Sequence, residues 1–194
     1  MDKDAYTVSS SRRAQRASAT YMLKVSSTAA FIVGLALFLL PFAEIRIANF
    51  LGINNSGLGI ASGSSWKFSK KDTFDKLLKN IDLSFDGPKK SPNVFAIMAL
   101  VFGIVGLIAS VSNARSARGL AAVAAVLAAC CLGGLWFDLT WDFSIDEAGK
   151  VARVSSQHGE LSLHLTVWFY ISLFAFLTAG FLCYRRIWLH RSHR

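Results

Sequence analysis

The sequence predicts a membrane all-α four-helix bundle carrying a small extracytoplasmic antiparallel β-sheet. Three observations predict it. Four runs, about 26–43, 94–112, 119–137 and 166–184, contain no Asp, Glu, Lys, Arg or His. A helix of about 19 residues rises roughly 28 Å, close to the ~30 Å hydrocarbon core of a bilayer. The chain is 53% hydrophobic and only 17% charged, with the apolar residues gathered into those blocks rather than spread at soluble-domain periods. The two long connections between the runs alternate apolar and polar residues, as half-buried strands do.

Charge predicts the orientation. Lys3, Arg12, Arg13, Arg16 and Lys24 precede the first span, Arg115 and Arg118 lie between the second and third, and Arg185, Arg186, Arg191 and Arg194 follow the fourth. The acidic residues on that side are Asp2 and Asp4, while basic and acidic residues balance in the two long connections. The net charge of +9 therefore falls on one side, which the positive-inside rule makes cytoplasmic, with both termini inside. Lys89 and Lys90, beside the second span, run against this pattern. A pI near 9.8 here signals topology and contact with anionic lipid rather than with nucleic acid.

The elements follow in order. Residues 1–24, rich in Ser, Ala and Arg with no apolar period, are expected to be an unstructured or membrane-surface cytoplasmic tail. The first span is assigned to 25–43, closed by Pro41, and is expected to stay as an anchor because no A-x-A cleavage site follows it. External loop 1, 44–93, opens with the alternating Glu44-Ile45-Arg46-Ile47. Asn54-Asn55-Ser56-Gly57 is expected to turn the chain, with Leu58 to Ala61 returning as a second strand. Over 69–81 the period changes: Phe74, Leu77, Leu78 and Ile81 predict a short amphipathic helix, capped by Ser69. The second span is 94–112, the cytoplasmic turn 113–118 and the third span 119–137. External loop 2, 138–165, is expected to be a three-stranded β-meander, because Phe137, Leu139, Trp141, Phe143 and Ile145 alternate with polar residues, and Leu161, Leu163 and Leu165 alternate again. The fourth span is 166–184 and the second cytoplasmic tail 185–194.

Several residues are candidates for a role. Ala121, Ala125, Ala129 and Gly133 recur every four residues and make a ridge almost without side chains, which lets a neighbouring helix approach closely in lipid. Ala99 and Gly103 offer a partial counterpart on the second span. Trp136, Trp168, Tyr170, Tyr184 and Trp188 fall at span ends, where amphipathic rings anchor a helix at the headgroups. Glu160 and His164 share one face of the last strand, with His158 in the turn before it; these types bind zinc, although no third ligand stands at a recognised spacing. No metal or other cofactor is expected. Cys130, Cys131 and Cys183 all lie in spans, so no disulfide is expected in the loops. Gly57, Gly59 and Gly63 lack the Lys-Ser/Thr of a phosphate loop. Spans without ionisable residues argue against a proton- or ion-coupled transporter, which must handle charge inside the bilayer.

At Leu40-Pro41-Phe42-Ala43-Glu44-Ile45 and Ser56-Gly57-Leu58-Gly59-Ile60-Ala61-Ser62-Gly63 the chain resembles a group of uncharacterised bacterial four-span membrane proteins. In these an apolar span ends in LPF-x-E-I, often with a nearby cysteine, and SG-x-x-x-A-x-G follows. Ile47 stands about where that cysteine falls. The resemblance implies a bacterial inner-membrane protein and carries no activity with it. The layout also resembles the claudin superfamily, by architectural analogy. Gly134-Leu135-Trp136 is similar to its GLW but stands at the end of the third span, and the loop cysteine pair is missing.

The expected function is that of a non-catalytic accessory or scaffold subunit of a membrane complex, not an enzyme. Its partners would be the bilayer and another integral membrane protein or a second copy. The alternatives are an extracytoplasmic ligand- or metal-binding module and a claudin-like adhesion or barrier protein.

Overall fold

The computed structural model describes residues 3–47, 51–64, 67–68, 91–112, 114–154 and 161–191. In order these form α1 (Lys3–Leu37), β1 (Pro41–Ile47), β2 (Leu51–Ser56), α2 (Gly57–Ser62), β3 (Lys67–Phe68), α3 (Val94–Val111), α4 (Arg115–Val154), β4 (Leu161–Leu165) and α5 (Val167–Arg191). Among the described residues four helices contain stretches long and apolar enough to cross a membrane: Ser18–Leu37, Val94–Val111, Ser116–Trp141 and Val167–Leu189. The principal helix contacts run from α1 to α3, α3 to α4, α4 to α5 and back to α1, a closed ring of four.

The centre of that ring is a column of phenylalanine. Phe31 meets Phe176 edge-on with ring centroids 6.2 Å apart, Phe176 meets Phe38 at 6.5 Å, Phe38 meets Phe42 at 4.8 Å, and Phe42 meets Phe169 at 5.7 Å. All five are buried. Edge-to-face pairs of this kind add about 0.5–1.5 kcal/mol each beyond the area they cover. The column carries the bundle core straight into the sheet, because Phe42 belongs to β1.

Glycines make room for the rings. A side chain on Gly106 of α3 would run into Phe31, and one on Gly34 or Gly103 would press on Phe176. A Cβ on Gly57 would stand 2.8 Å from Phe42 and 2.9 Å from Phe38. Ser172 of α5 adds a buried hydrogen bond to the Gly34 carbonyl at 3.1 Å.

α1 stops where its apolar run does not. The amides of Phe38, Leu39 and Leu40 bond three residues back, to Leu35, Ala36 and Leu37, which tightens the last turn. Pro41 then has no amide to donate and biases Leu40 away from helix, so the chain leaves as β1. The first span expected at 25–43 is corrected accordingly. Of the two alternatives for 1–24, the unstructured one gives way to helix, since α1 is continuous from Lys3. Its alanines and arginines are good helix formers, and the helix already exists in the span that follows.

The sheet has strand order β3-β2-β1-β4, and every pairing is antiparallel. The return strand is β2, not 58–61; Ser56 caps α2 instead, and its hydroxyl accepts from the Gly59 amide at 3.0 Å. Gly63 ends α2 at φ 69°, a left-handed conformation that glycine adopts without strain.

The meander expected over 138–165 is also corrected. α4 continues through Val154, and β4 alone comes from that segment among the described residues. An alternation of period two repeats at four as well, so it fits a helix that pairs i with i+4. Phe137 stacks on Trp141 at 5.5 Å, the Thr140 hydroxyl donates to the Trp136 carbonyl at 2.6 Å, and Leu132, Leu135 and Leu139 are buried on one face. The helix expected at 69–81 lies outside the described residues.

Candidate functional site at the sheet–bundle junction

The two stretches singled out in the sequence, Leu40–Ile45 and Ser56–Gly63, fold against each other. β1 and β2 pair from Pro41 opposite Ser56 to Ile47 opposite Leu51, with an irregularity between Pro41 and Ala43. Gly57 sits under Phe38 and Phe42. The Leu58 amide donates to the Phe38 carbonyl at 2.9 Å, and the Gly57 amide to Leu40 at 3.4 Å. SG at the start of α2 is thus explained: serine caps, and glycine admits the rings above it.

Two polar residues fasten this unit to the helices, and a third, Asn55, fastens it to itself. Asn93 caps α3, its Oδ1 accepting from the amides of Phe95 at 3.0 Å and Ala96 at 3.3 Å, while its Nδ2 donates to Asp138 Oδ2 of α4 at 2.5 Å. The Asn93 amide donates to the Ile60 carbonyl of α2 at 3.2 Å. Thr166, between β4 and α5, donates its hydroxyl to the Pro41 carbonyl and to Phe42 at 3.3 Å, and its amide to Phe42 at 2.9 Å. Asn55 is buried, and its Nδ2 donates to the Ser64 carbonyl at 3.4 Å. A crevice of about 10 Å³ between Asn55, Gly59, Ser64, Asn93 and Leu139 has room for one water at most.

Across the sheet the register aligns Asn54, Glu44 and His164 on three neighbouring strands. His164 is exposed and Glu44 half-buried. Residues opposite one another lie about 4.5–5.5 Å apart at Cβ, so this row offers an amide, a carboxylate and an imidazole side by side. Of the proposed metal ligands, His164 is thus set opposite Glu44, whereas His158 and Glu160 lie outside the described residues. Among the described residues no group of three or more His, Cys, Asp and Glu side chains is placed to hold a metal ion.

The small-residue ridge is turned inward. Ala121, Ala125 and Ala129 are buried, and a Cβ on Gly180 of α5 would lie 3.3 Å from Ala125 Cβ. Ala99 and Gly103 are buried too, but Gly103 makes room for Leu35 and Phe176. Gly133 has open space where a side chain would stand, and the close approach of α3 and α4 falls on its neighbour Gly134, against Phe95. Trp136, Trp168, Tyr170, Tyr184 and Trp188 are all exposed on the bundle surface. Cys183 is buried, Cys131 half-buried and Cys130 exposed.

Asn93, Thr166 and Asn55 were missed by the sequence reading. Asn93 had a signal, a capping residue directly before an apolar run. Thr166 had none, because its partners lie more than a hundred residues away. No protein-family model matches the chain, and no curated protein matches it significantly in sequence. Fold and composition make it a four-helix multi-pass membrane protein with a small antiparallel sheet at one end.

Proposed function

We propose that this chain is a non-catalytic subunit of the bacterial inner membrane, with both termini cytoplasmic, and that it holds its sheet on the outer side for another membrane protein. The observation that carries the reading is how the polar side chains at the junction are used. Asn93, Asp138 and Thr166 spend hydrogen bonds on crossings that join sheet and bundle, and Asn55 and Ser56 spend theirs on holding the short helix beside β2. Residues used in this way position a surface rather than transform a substrate. The ridge on α4 serves the chain's own packing, which leaves the sheet, with exposed His164 on β4, as the surface for a partner. The positive-inside distribution of Lys and Arg supports the orientation. The bacterial setting rests on the resemblance at Leu40–Ile45 and Ser56–Gly63.

A photo-crosslinking residue at position 164, compared with one at lipid-facing Phe181, tests this in intact cells. One discrete adduct at 164 and none at 181 is expected. No adduct at 164, or the same set of adducts at both positions, contradicts the reading.

A further inference from the structure

We infer that the lipid-facing surface of the bundle fits a thin bilayer, with a hydrocarbon core no thicker than about 28 Å, and so selects lipids with short acyl chains. α3 sets the limit most plainly. Its 18 residues, Val94–Val111, carry no charge and rise about 27 Å. Asn93 closes the sheet end, capping α3 and donating to Asp138, and Ser112 closes the far end. Asn93 and Asp138 are short side chains, without the long stems that let Lys and Arg reach water from within the hydrocarbon.

The other three helices agree. On α4 the charge-free stretch between Arg118 and Asp138 rises about 28 Å, and on α5 the stretch between Thr166 and Arg185 rises about 27 Å. Ser116–Trp141 and Val167–Leu189 are longer, but they take in Arg118, Asp138, Arg185 and Arg186. On α1 the helix beyond Lys24 rises about 20 Å as far as Leu37, and the tight turn through Leu40 adds about 6 Å. Trp168 and Tyr184, exposed on α5 and suited to the headgroup boundary, stand about 24 Å apart along the helix. Tilt shortens every one of these lengths across the membrane, so each is an upper limit.

The helices are also fastened at fixed heights, so the bundle does not lengthen by sliding. At the sheet end Asn93 ties α3 to α4 at 2.5 Å, and the Thr166 amide ties the start of α5 to the Phe42 carbonyl at 2.9 Å. Ser172 of α5 donates to Gly34 of α1 at 3.1 Å. At the far end Thr28 of α1 and Ser110 of α3 share a hydrogen bond of 3.0 Å. Arg186 of α5, only 6% exposed, donates to the Ser110 carbonyl at 3.4 Å. That bond holds its charge level with the last turn of α3 instead of letting the stem extend towards water. A bilayer of average thickness, about 30 Å, therefore overlaps polar groups and must thin around the protein, at a cost that grows with the mismatch.

Full-length protein is reconstituted in phosphatidylcholine vesicles that differ only in acyl chain: myristoleoyl, palmitoleoyl, oleoyl, eicosenoyl or erucoyl, from shortest to longest. One headgroup throughout keeps lipid charge out of the comparison. The unfolding midpoint, followed by tryptophan fluorescence, is expected to peak with oleoyl or a shorter chain and to fall through eicosenoyl and erucoyl. A peak with either of the two longest chains, or a level series, overturns the inference. In mixed vesicles, quenching of the exposed tryptophans by the brominated form of one lipid should show palmitoleoyl preferred over erucoyl about twofold or more. Equal quenching by the two overturns the inference as well, and it decides where unfolding in vesicles is not cooperative.

Discussion

The ring of Phe31 lies in the space that a side chain on Gly106 would need, so α1 and α3 touch through a phenyl edge and bare backbone. The same relation recurs at Gly34 and Gly103 with Phe176, and at Gly57 with Phe38 and Phe42. Each ring is fixed by its neighbours in the column, so none can retreat without moving the next.

Gly106→Ala is therefore expected to destabilise, although alanine is worth about 1 kcal/mol over glycine in a helix interior. Crowding a packed core costs about 1–3 kcal/mol, and here the obstacle is a wedged ring rather than a flexible chain end. Gly133→Ala is the control. With nothing within 4 Å of the added methyl, it should be neutral or slightly stabilising. Unfolding midpoints in detergent, followed by tryptophan fluorescence, rank the two. A Gly133→Ala loss equal to that of Gly106→Ala would contradict the packing described.

Asn93→Asp keeps an acceptor for the α3 amides but sets a carboxylate against Asp138. The cap is preserved, since Asp and Asn cap equally well, while two like charges face each other at hydrogen-bond range. A loss of about 1–3 kcal/mol is expected at neutral pH. Adding Asp138→Asn swaps the two roles and should restore most of it. A double variant no better than Asn93→Asp would show that this hydrogen bond does not couple α3 to α4.

Gly63→Ala is expected to cost about 1–2 kcal/mol, because a Cβ is strained at a left-handed position. Gly63→Asn should cost less, as asparagine visits that region more readily. Equal melting temperatures for the two variants would argue against the left-handed end of α2.

How much of this was legible differs from place to place. The four spans could be read because charge-free length is a local property. Leu161, Leu163 and Leu165 announced β4 because a short alternation before a span has few other uses. Phe137 to Ile145 misled because period two also satisfies i,i+4, and only the burial of Leu132, Leu135 and Leu139 along one face separates helix from strand. Leu39 to Ala43 misled because an apolar run is equally good in a helix or in a buried strand; Pro41 marked the change of element but not its start. At the junction, Ser56 and Asn93 were readable as caps, whereas the sockets at Gly34, Gly103 and Gly106 depend on rings placed by distant segments. The buried Arg186 was hidden among tail residues that look alike in sequence.

The central claim is that the sheet lies across the membrane from the arginine-rich end. It is tested most directly by single cysteines in a chain whose Cys130, Cys131 and Cys183 have been replaced. His164→Cys and Arg185→Cys, both at exposed positions, are treated with a membrane-impermeant maleimide in sealed, right-side-out cells. Labelling at 164, with 185 labelled only after the cells are opened, is the predicted result. Labelling at 185 in sealed cells with 164 protected would contradict it.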